Sequence, residues 1–452
     1  MRTFDLVIIG CGQGADPLAC AFAGAGKSVA LIERGALGGS CVNWGCTPTK
    51  TLHVSAKTAY DARRAAEVGV ETGPVTVDFG TVMRRKEVII GDFRSELEEE
   101  LKGTEGLEIL HAEARFTGPR RLQVGDEEIE GGIVVIDTGT RPQIPDLPGL
   151  KDVPFLTAAE LLDLRELPGH LIVLGGGYIG LEFGQSFRRF GSEVTIVEKG
   201  DRLLSREDED VTDAVQEFLE EEGITVECEA DIQGVAREGD EIVLTLAGKT
   251  LRGTHLLVAT SQTPNTEGLD LDKAGIETDE RGFVKVDSKL RTNIEGVYAI
   301  GDVKGGPAFT PISYDDYRVL HTNLLEGGDR TIEGRPVPYC VFVDPQLARV
   351  GLSESEAKEK EIPYRIGRIE MTDLGYPIEK NRPKGFIKAL VAEDDTILGV
   401  AVLGIDAGDQ MAFFQIAMMG GLKHGQLTDG IYAHPTLAEG LNKVFRDLKS
   451  PA

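Results

Sequence analysis

The chain uses one local pattern twice, and that repetition decides most of its architecture. Residues 4–9 (Phe-Asp-Leu-Val-Ile-Ile) read as a short buried strand. Gly10-Cys11-Gly12-Gln13-Gly14-Ala15, a helix-like run to Gly26, a strand at 28–32 and Glu33 follow. Residues 170–174 lead in the same way into Gly175-Gly176-Gly177-Tyr178-Ile179-Gly180, a helix-like segment to Gly191, a strand at 194–197 and Glu198. The interval from Gly10 to Glu33 equals that from Gly175 to Glu198. In such a βαβ unit the first glycine (Gly10, Gly175) permits a tight turn. The second (Gly12, Gly177) lets a pyrophosphate approach the backbone, and the third position (Ala15, Gly180) keeps helix and strand close. The acid bonds ribose hydroxyls. One glycine motif is weak evidence, but two ordered sets predict two dinucleotides, and a redox relay between them is the economical explanation.

A pair of cysteines gives that relay a terminus. Gly38-Gly39-Ser40-Cys41-Val42-Asn43-Trp44-Gly45-Cys46-Thr47-Pro48-Thr49-Lys50 follows the first unit directly and ends at an apparent helix start. Thiols this close can cycle between dithiol and disulfide, and a helix N-terminus stabilises a thiolate. The competing readings are two buried cysteines or half of a zinc site. Zinc sites bring a second closely spaced Cys/His pair, and none follows, so no metal site is expected.

The nucleotides are partly assignable. Glu198 would repel a 2′-phosphate and accept from a 2′-hydroxyl, which favours NADH at the second site. Lys199, Arg202 and Arg206 lie just downstream and could accommodate NADPH instead. The first site is assigned to FAD from residues 292–302, a strand ending in Gly301-Asp302 suited to a ribityl hydroxyl. Thr310-Pro311 then opens a helix whose N-terminus suits the negative edge of a flavin.

This ordered set resembles the class I pyridine nucleotide–disulfide oxidoreductases, the flavoprotein family of glutathione reductase, dihydrolipoamide dehydrogenase and mercuric reductase. The likeness covers essentially the whole chain. Gly-Cys-Thr-Pro-Thr-Lys-Thr (45–51), Leu-Pro-Gly-His-Leu (167–171), residues 309–318 and Val-Pro-Tyr-Cys-Val-Phe (337–342) most resemble the mercuric-reductase-like and reactive-chlorine-resistance copper(II) reductase subgroup. The resemblance implies an α/β fold with two Rossmann-like domains, for FAD and NAD(P)H, and a C-terminal α+β dimerisation domain. It places the FAD domain at 1–149 and 263–335, the NAD(P)H domain at 150–262 and the interface domain at 336–452.

The resemblance also implies roles. Cys46 matches the thiolate against the flavin and Cys41 the interchange thiol. Lys50 matches a lysine near the flavin that pairs with a glutamate, here Glu182. Tyr178 matches a tyrosine that covers the flavin until nicotinamide arrives. A helix-surface role for Glu182 and simple packing for Tyr178 stay open. Gly139, two residues beyond the strand of residues 133–137, Asp302 and Thr310 belong to the FAD site. In Ala433-His434-Pro435-Thr436-Leu437-Ala438-Glu439 the imidazole would shuttle a thiol proton with Glu439 fixing its tautomer. In the family that histidine serves the other subunit's disulfide, which implies a homodimer with shared sites. Trp44 replaces a usual aliphatic residue, and either narrows access to the disulfide or packs. His53 shares a helix with Lys50, where ordinary packing outweighs a metal-handling role. Ser261-Gln262 stands where the family has Gly-Arg.

Composition agrees. Net charge is −27 over 452 residues, which argues against nucleic acid or anionic membrane as partners. The total of 6 cysteines suits a reducing cytoplasm, and no signal peptide is expected at the N-terminus. The expected activity is NAD(P)H-dependent flavoprotein disulfide oxidoreduction, ending on a small-molecule or metal-ion acceptor. No cysteine follows Cys340, where mercuric reductases carry a C-terminal Cys-Cys pair, which disfavours efficient Hg(II) reduction. Dihydrolipoamide dehydrogenase is the main rival reading. A redox-vestigial flavin-binding regulator is the rival from another class.

Overall fold

The computed structural model describes residues 1–451 and divides into two compact units. The first comprises Met1–Thr51, Met83–Ile144 and Ser261–Arg335. The second comprises Leu52–Val82, Pro145–Thr260 and everything from Pro336 onward.

The first unit is built on a sheet whose parallel part runs Leu107–Leu110, Val29–Ile32, Arg2–Ile9, Glu127–Ile136 and Val297–Ala299. Leu6 pairs with Val29 on one side and with Ile133 on the other. Both faces are covered, so the first strand reads as a continuous apolar run rather than an alternation. Period two still sorts its side chains. Val7, Ile9, Ala30 and Ile32 face one core, with Phe116, Leu122 and Ile129. Leu6, Ile8, Val29 and Leu31 face the other, against Leu18 and Phe22 of helix Ala15–Gly24 and Val319 and Leu320 of helix Thr310–Leu325. Burying each such Leu or Ile contributes about 1.5–3 kcal/mol. An antiparallel pair, Ala114–Gly118 and Arg121–Val124, extends the sheet beyond Glu127–Ile136.

The second unit holds a smaller parallel sheet in the order Thr225–Glu227, Glu193–Val197, His170–Leu174, His255–Val258. It also carries a three-stranded antiparallel sheet, Ile232–Glu238, Glu241–Leu246 and Lys249–Gly253. The C-terminal part is a five-stranded antiparallel sheet in the order Tyr339–Val341, Gln346–Gly351, Ile397–Gly404, Phe386–Val391, Arg365–Glu370. Helix Ala407–Met419 covers one face of it through Met411 and Phe414. Glycine is obligatory where strand meets helix in the nucleotide unit: a Cβ on Gly180 would lie 2.2 Å from the Gly175 carbonyl oxygen. The α/β class and the mixture of helices and strands in the C-terminal part agree with the sequence reading. No helix among the described residues is long and apolar enough to cross a membrane.

Candidate active site

The glycine loops are built alike. Gly10 (φ 98°) and Gly175 (φ 114°) turn so tightly that a Cβ would sit 2.3 Å from the Asp137 carbonyl oxygen and 2.4 Å from that of Ala259. Each loop then grips its acid. Glu33 accepts the Cys11 amide at 3.0 Å and the Gly35 amide at 2.7 Å. Glu198 accepts the Gly176 amide at 2.7 Å and the Gly200 amide at 2.7 Å. These donors fix the carboxylates beside each loop and leave lone pairs for a ribose edge. Gly177 faces open space, as a pyrophosphate cradle requires, whereas a Cβ on Gly12 would come 2.8 Å from Asp137 Oδ2. Ala15 is fully buried at the third position. Asp137 Oδ2 and Thr138 Oγ1 are buried with no hydrogen-bond partner among the described residues. A cradle of turned glycines, an aimed acid and orphaned buried polar atoms together fit a dinucleotide.

The cysteine segment lies against the first loop. Gly39 (φ 59°) makes this possible, since a Cβ there would sit 3.0 Å from the Gly12 Cα. Cys41 occupies the short helix Gly39–Asn43, and Cys46 is the first residue of helix Cys46–Arg63. Between them the Trp44 and Gly45 amides both bond the Ser40 carbonyl, at 2.8 and 2.6 Å. Asn43 ties the segment down by donating to the Leu37 and Gly39 carbonyls at 2.9 and 2.8 Å and by bonding Arg94. The Cys46 sulfur lies 3.1 Å from Thr310 Oγ1. Its hydrogen bond with Cys46, then burial, push the Cys41 thiol far up. Two adjacent sulfurs cannot both ionise cheaply, so Cys41 keeps its proton.

Thr310 opens helix Thr310–Leu325 with Pro311 in its first turn, as expected, but its hydroxyl is spent on the cysteine pair. That contact was not legible from spacing. Asp302 differs from expectation in setting: the strand stops at Ala299, and Asp302 sits in the 3-10 turn Gly301–Lys304, accepting from Thr140 at 3.3 Å. The Gly301 turn (φ 67°) redirects the backbone before the acid is reached. Gly139 (φ 64°) turns the chain just beyond Asp137. Lys50 lies one turn after Cys46 on the same helix. Burial pushes up the Cys11, Cys20 and Cys228 thiols, which makes them poor nucleophiles.

In the second unit, His434 Nδ1 lies 3.1 Å from both oxygens of Glu439, and the imidazole is 70% exposed. Burial pushes Glu439 up, but the bonds from His434 and the Thr436 amide prevail and hold it ionised below the usual range. Glu182 is buried and accepts the Phe342 amide at 2.9 Å, so it is not a helix-surface residue. Tyr178 begins helix Tyr178–Phe190 and stays partly exposed. His53 is buried, while Trp44 is exposed. Arg202 pairs with Asp201 and Glu209.

One further cluster escaped the sequence reading. Asp208, Asp210 and Glu354 converge as metal ligands could. The Lys388 ammonium bonds all three at 3.0, 2.6 and 2.9 Å, and Arg349 adds bonds to Glu207 and Asp208. Asp208 and Asp210 are near neighbours, but Glu354 and Lys388 come from distant segments, so no spacing motif announces the cluster.

Comparison with known proteins agrees with this geometry. Residues 4–316 match the pyridine nucleotide-disulphide oxidoreductase family and residues 337–445 its dimerisation domain. The chain is 35% identical to a mercuric reductase of Streptomyces lividans, over 99% of this chain and 96% of that one. It is 32% identical to a dihydrolipoyl dehydrogenase of Staphylococcus aureus, over 96% and 94%. The solved Cu(II) complex of the HOCl-induced flavoprotein disulfide reductase RclA from Escherichia coli superposes with a TM-score of 0.90 at 34% identity, covering 97% of this chain and 99% of that one. The chain therefore belongs to the pyridine nucleotide-disulphide oxidoreductases, a family of flavoprotein oxidoreductases that work with FAD and NAD(P)H.

Proposed function

We propose that this protein is a homodimeric oxidoreductase that uses NADH to keep the Cys41–Cys46 pair reduced and delivers the electrons to a disulfide or a thiophilic metal ion such as Cu(II). The observation that carries this reading is the cysteine pair itself: Cys46 at the N-terminus of an 18-residue helix, beside Thr310, with Cys41 on the short helix just before it. A flavin bound at the first loop supplies two-electron transfer between nicotinamide and the cysteine pair. Residues 1–149 and 263–335 form its domain, 150–262 the nicotinamide domain and 336–452 the interface.

The chain's own groups divide the remaining work. The helix dipole and the Thr310 hydroxyl stabilise negative charge on Cys46. Cys41, the protonated partner, gives up that proton to become the attacking sulfur. His434 of the partner subunit accepts it, with Glu439 of the partner subunit holding the ring so that Nε2 faces the sulfur. Exposure of His434 within its own chain supports this assignment. So does the apolar hollow of about 400 Å³ beside it, lined by Tyr376, Phe413, Ala433, Thr436, Leu437 and Ala438. Phe413, Ile416 and Met419 are exposed on the neighbouring helix, as a self-association face would be. Glu198 selects NADH, and Arg202 is already committed to acids. Lys50, Glu182 and Tyr178 keep the roles that the family resemblance gives them.

Anaerobic turnover with NADH tests the reading against lipoamide, glutathione disulfide, Cu(II), Hg(II) and quinones. Reduction of glutathione disulfide or a metal ion in preference to lipoamide, lost in Cys41→Ser, supports it. Preference for lipoamide redirects it to a dihydrolipoamide dehydrogenase. No turnover with any acceptor defeats it in favour of a flavin-binding regulator.

A further inference from the structure

The two nucleotide units differ at one equivalent position. Where the strand beside each glycine loop ends, the second unit has Ala259 and the first has Asp137, each placing its carbonyl against the first glycine of the loop. In the second unit the space in front of Gly177 is open. In the first, the Asp137 carboxyl fills the corresponding space: Oδ2 lies 2.8 Å from where a Gly12 Cβ would be, and Oδ1 2.5 Å from where a Gly301 Cβ would be. A side chain at either glycine would run into the Asp137 carboxyl.

We propose that Asp137 is a positioning residue for the dinucleotide of the first unit, acting as a neutral acid that donates a hydrogen bond through Oδ2 to the pyrophosphate at the start of helix Ala15–Gly24. The inference rests on reading the first loop as the FAD site. Three observations carry it. Asp137 is only 6% exposed, yet Oδ2 has no partner among the described residues, a costly arrangement unless a ligand completes it. Its carboxyl lies against Gly12, in the loop that leads into helix Ala15–Gly24, so it stands beside the end where the helix offers its N-terminal donors. Its surroundings are acidic: Asp302 and Asp16 face it, as does Asp316, whose charge is offset by Lys304 at 3.2 Å and Arg335 at 2.7 Å.

Burial, then those three acids, raise the Asp137 carboxyl well above the ordinary aspartate range. The neighbouring titratable groups behave likewise. Asp16 is pushed up to about 7 by burial and Glu100, burial raises Asp302, and the Cys11 thiol stays protonated. A second anion beside a pyrophosphate would repel it, whereas a carboxylic acid supplies a donor. Flavin is held below the raised value and released as pH climbs through it, since deprotonation replaces attraction by repulsion.

The experiment is flavin retention by the purified holoprotein after desalting, from about pH 6 to about pH 9.5, in the parent, Asp137→Asn, Asp137→Ala and Asp16→Asn. The parent and Asp16→Asn should lose FAD as pH rises. Asp137→Asn, which keeps a donor without a charge, should hold FAD with no such dependence. Asp137→Ala should bind FAD about ten- to hundredfold more weakly at low pH, again without the dependence. An infrared carbonyl band of a protonated carboxyl, present in the parent holoprotein and absent from Asp137→Asn, would show the acid directly. A parent profile that is flat, or that survives unchanged in Asp137→Asn, overturns the proposal. Failure of the parent to bind added FAD at any pH overturns the FAD reading itself and the inference with it.

Discussion

Glu33 and Glu198 are held by the same pair of bonds, one from the amide after the first glycine of the loop and one from the amide two residues beyond the acid. Each acid is thereby fixed before any ribose arrives, and little side-chain entropy remains to be lost on binding.

Nucleotide preference follows from the second of these acids. NADH should give the higher kcat/KM, and Glu198→Ala should narrow the gap by removing repulsion of a 2′-phosphate. Steady-state kinetics with both nucleotides checks this. A parent that prefers NADPH tenfold, about 1.4 kcal/mol, would hand the pocket to Lys199 or Arg206.

The cysteine roles predict a spectrum. Two-electron reduction without oxygen should produce a long-wavelength band from a Cys46 thiolate next to the flavin. Cys46→Ser should abolish the band, and Cys41→Ser should display it without reductant. Thr310→Val should shift its onset to higher pH, because the thiolate loses a hydrogen-bond donor at 3.1 Å. Identical spectra in all forms would refute the assignment.

Catalysis should require two chains. His434→Ala is expected to slow disulfide reduction about a hundredfold while rapid flavin reduction by NADH persists in stopped-flow traces. Mixing Cys41→Ser with His434→Ala subunits should restore one working site per heterodimer. Confirmed heterodimers without recovered activity would rule out a shared site.

The acid cluster around Lys388 predicts a stability loss. Lys388→Met leaves Asp208, Asp210 and Glu354 facing one another and should cost about 3 kcal/mol. Although burial pushes Asp208 up, Arg349 and Lys388 prevail and hold it at about 2. Its folded value lies below its unfolded one, so its contribution is present above about pH 4 and fades as pH falls toward 2. Urea midpoints at neutral pH and near pH 3 measure both effects. An unchanged midpoint in the variant would show that the cluster contributes nothing.

The sequence by itself determined both nucleotide units, because the glycines, the strands and the acids of a βαβ unit are local: the loop from Gly10 to Ala15 and the return to Glu33 lie within one stretch of chain. The Cys41–Cys46 spacing and the His434–Glu439 pair were legible for the same reason, each closing within a turn or so of backbone. Tertiary structure alone decided the rest. It brought Thr310 to Cys46, Phe342 to Glu182, and Lys388 among Asp208, Asp210 and Glu354. It also turned Asp137, one acid at the end of an ordinary-looking strand, into a buried group beneath the first loop. Contacts of this kind depend on which distant segments the sheet order places side by side, and residue spacing carries no record of that order.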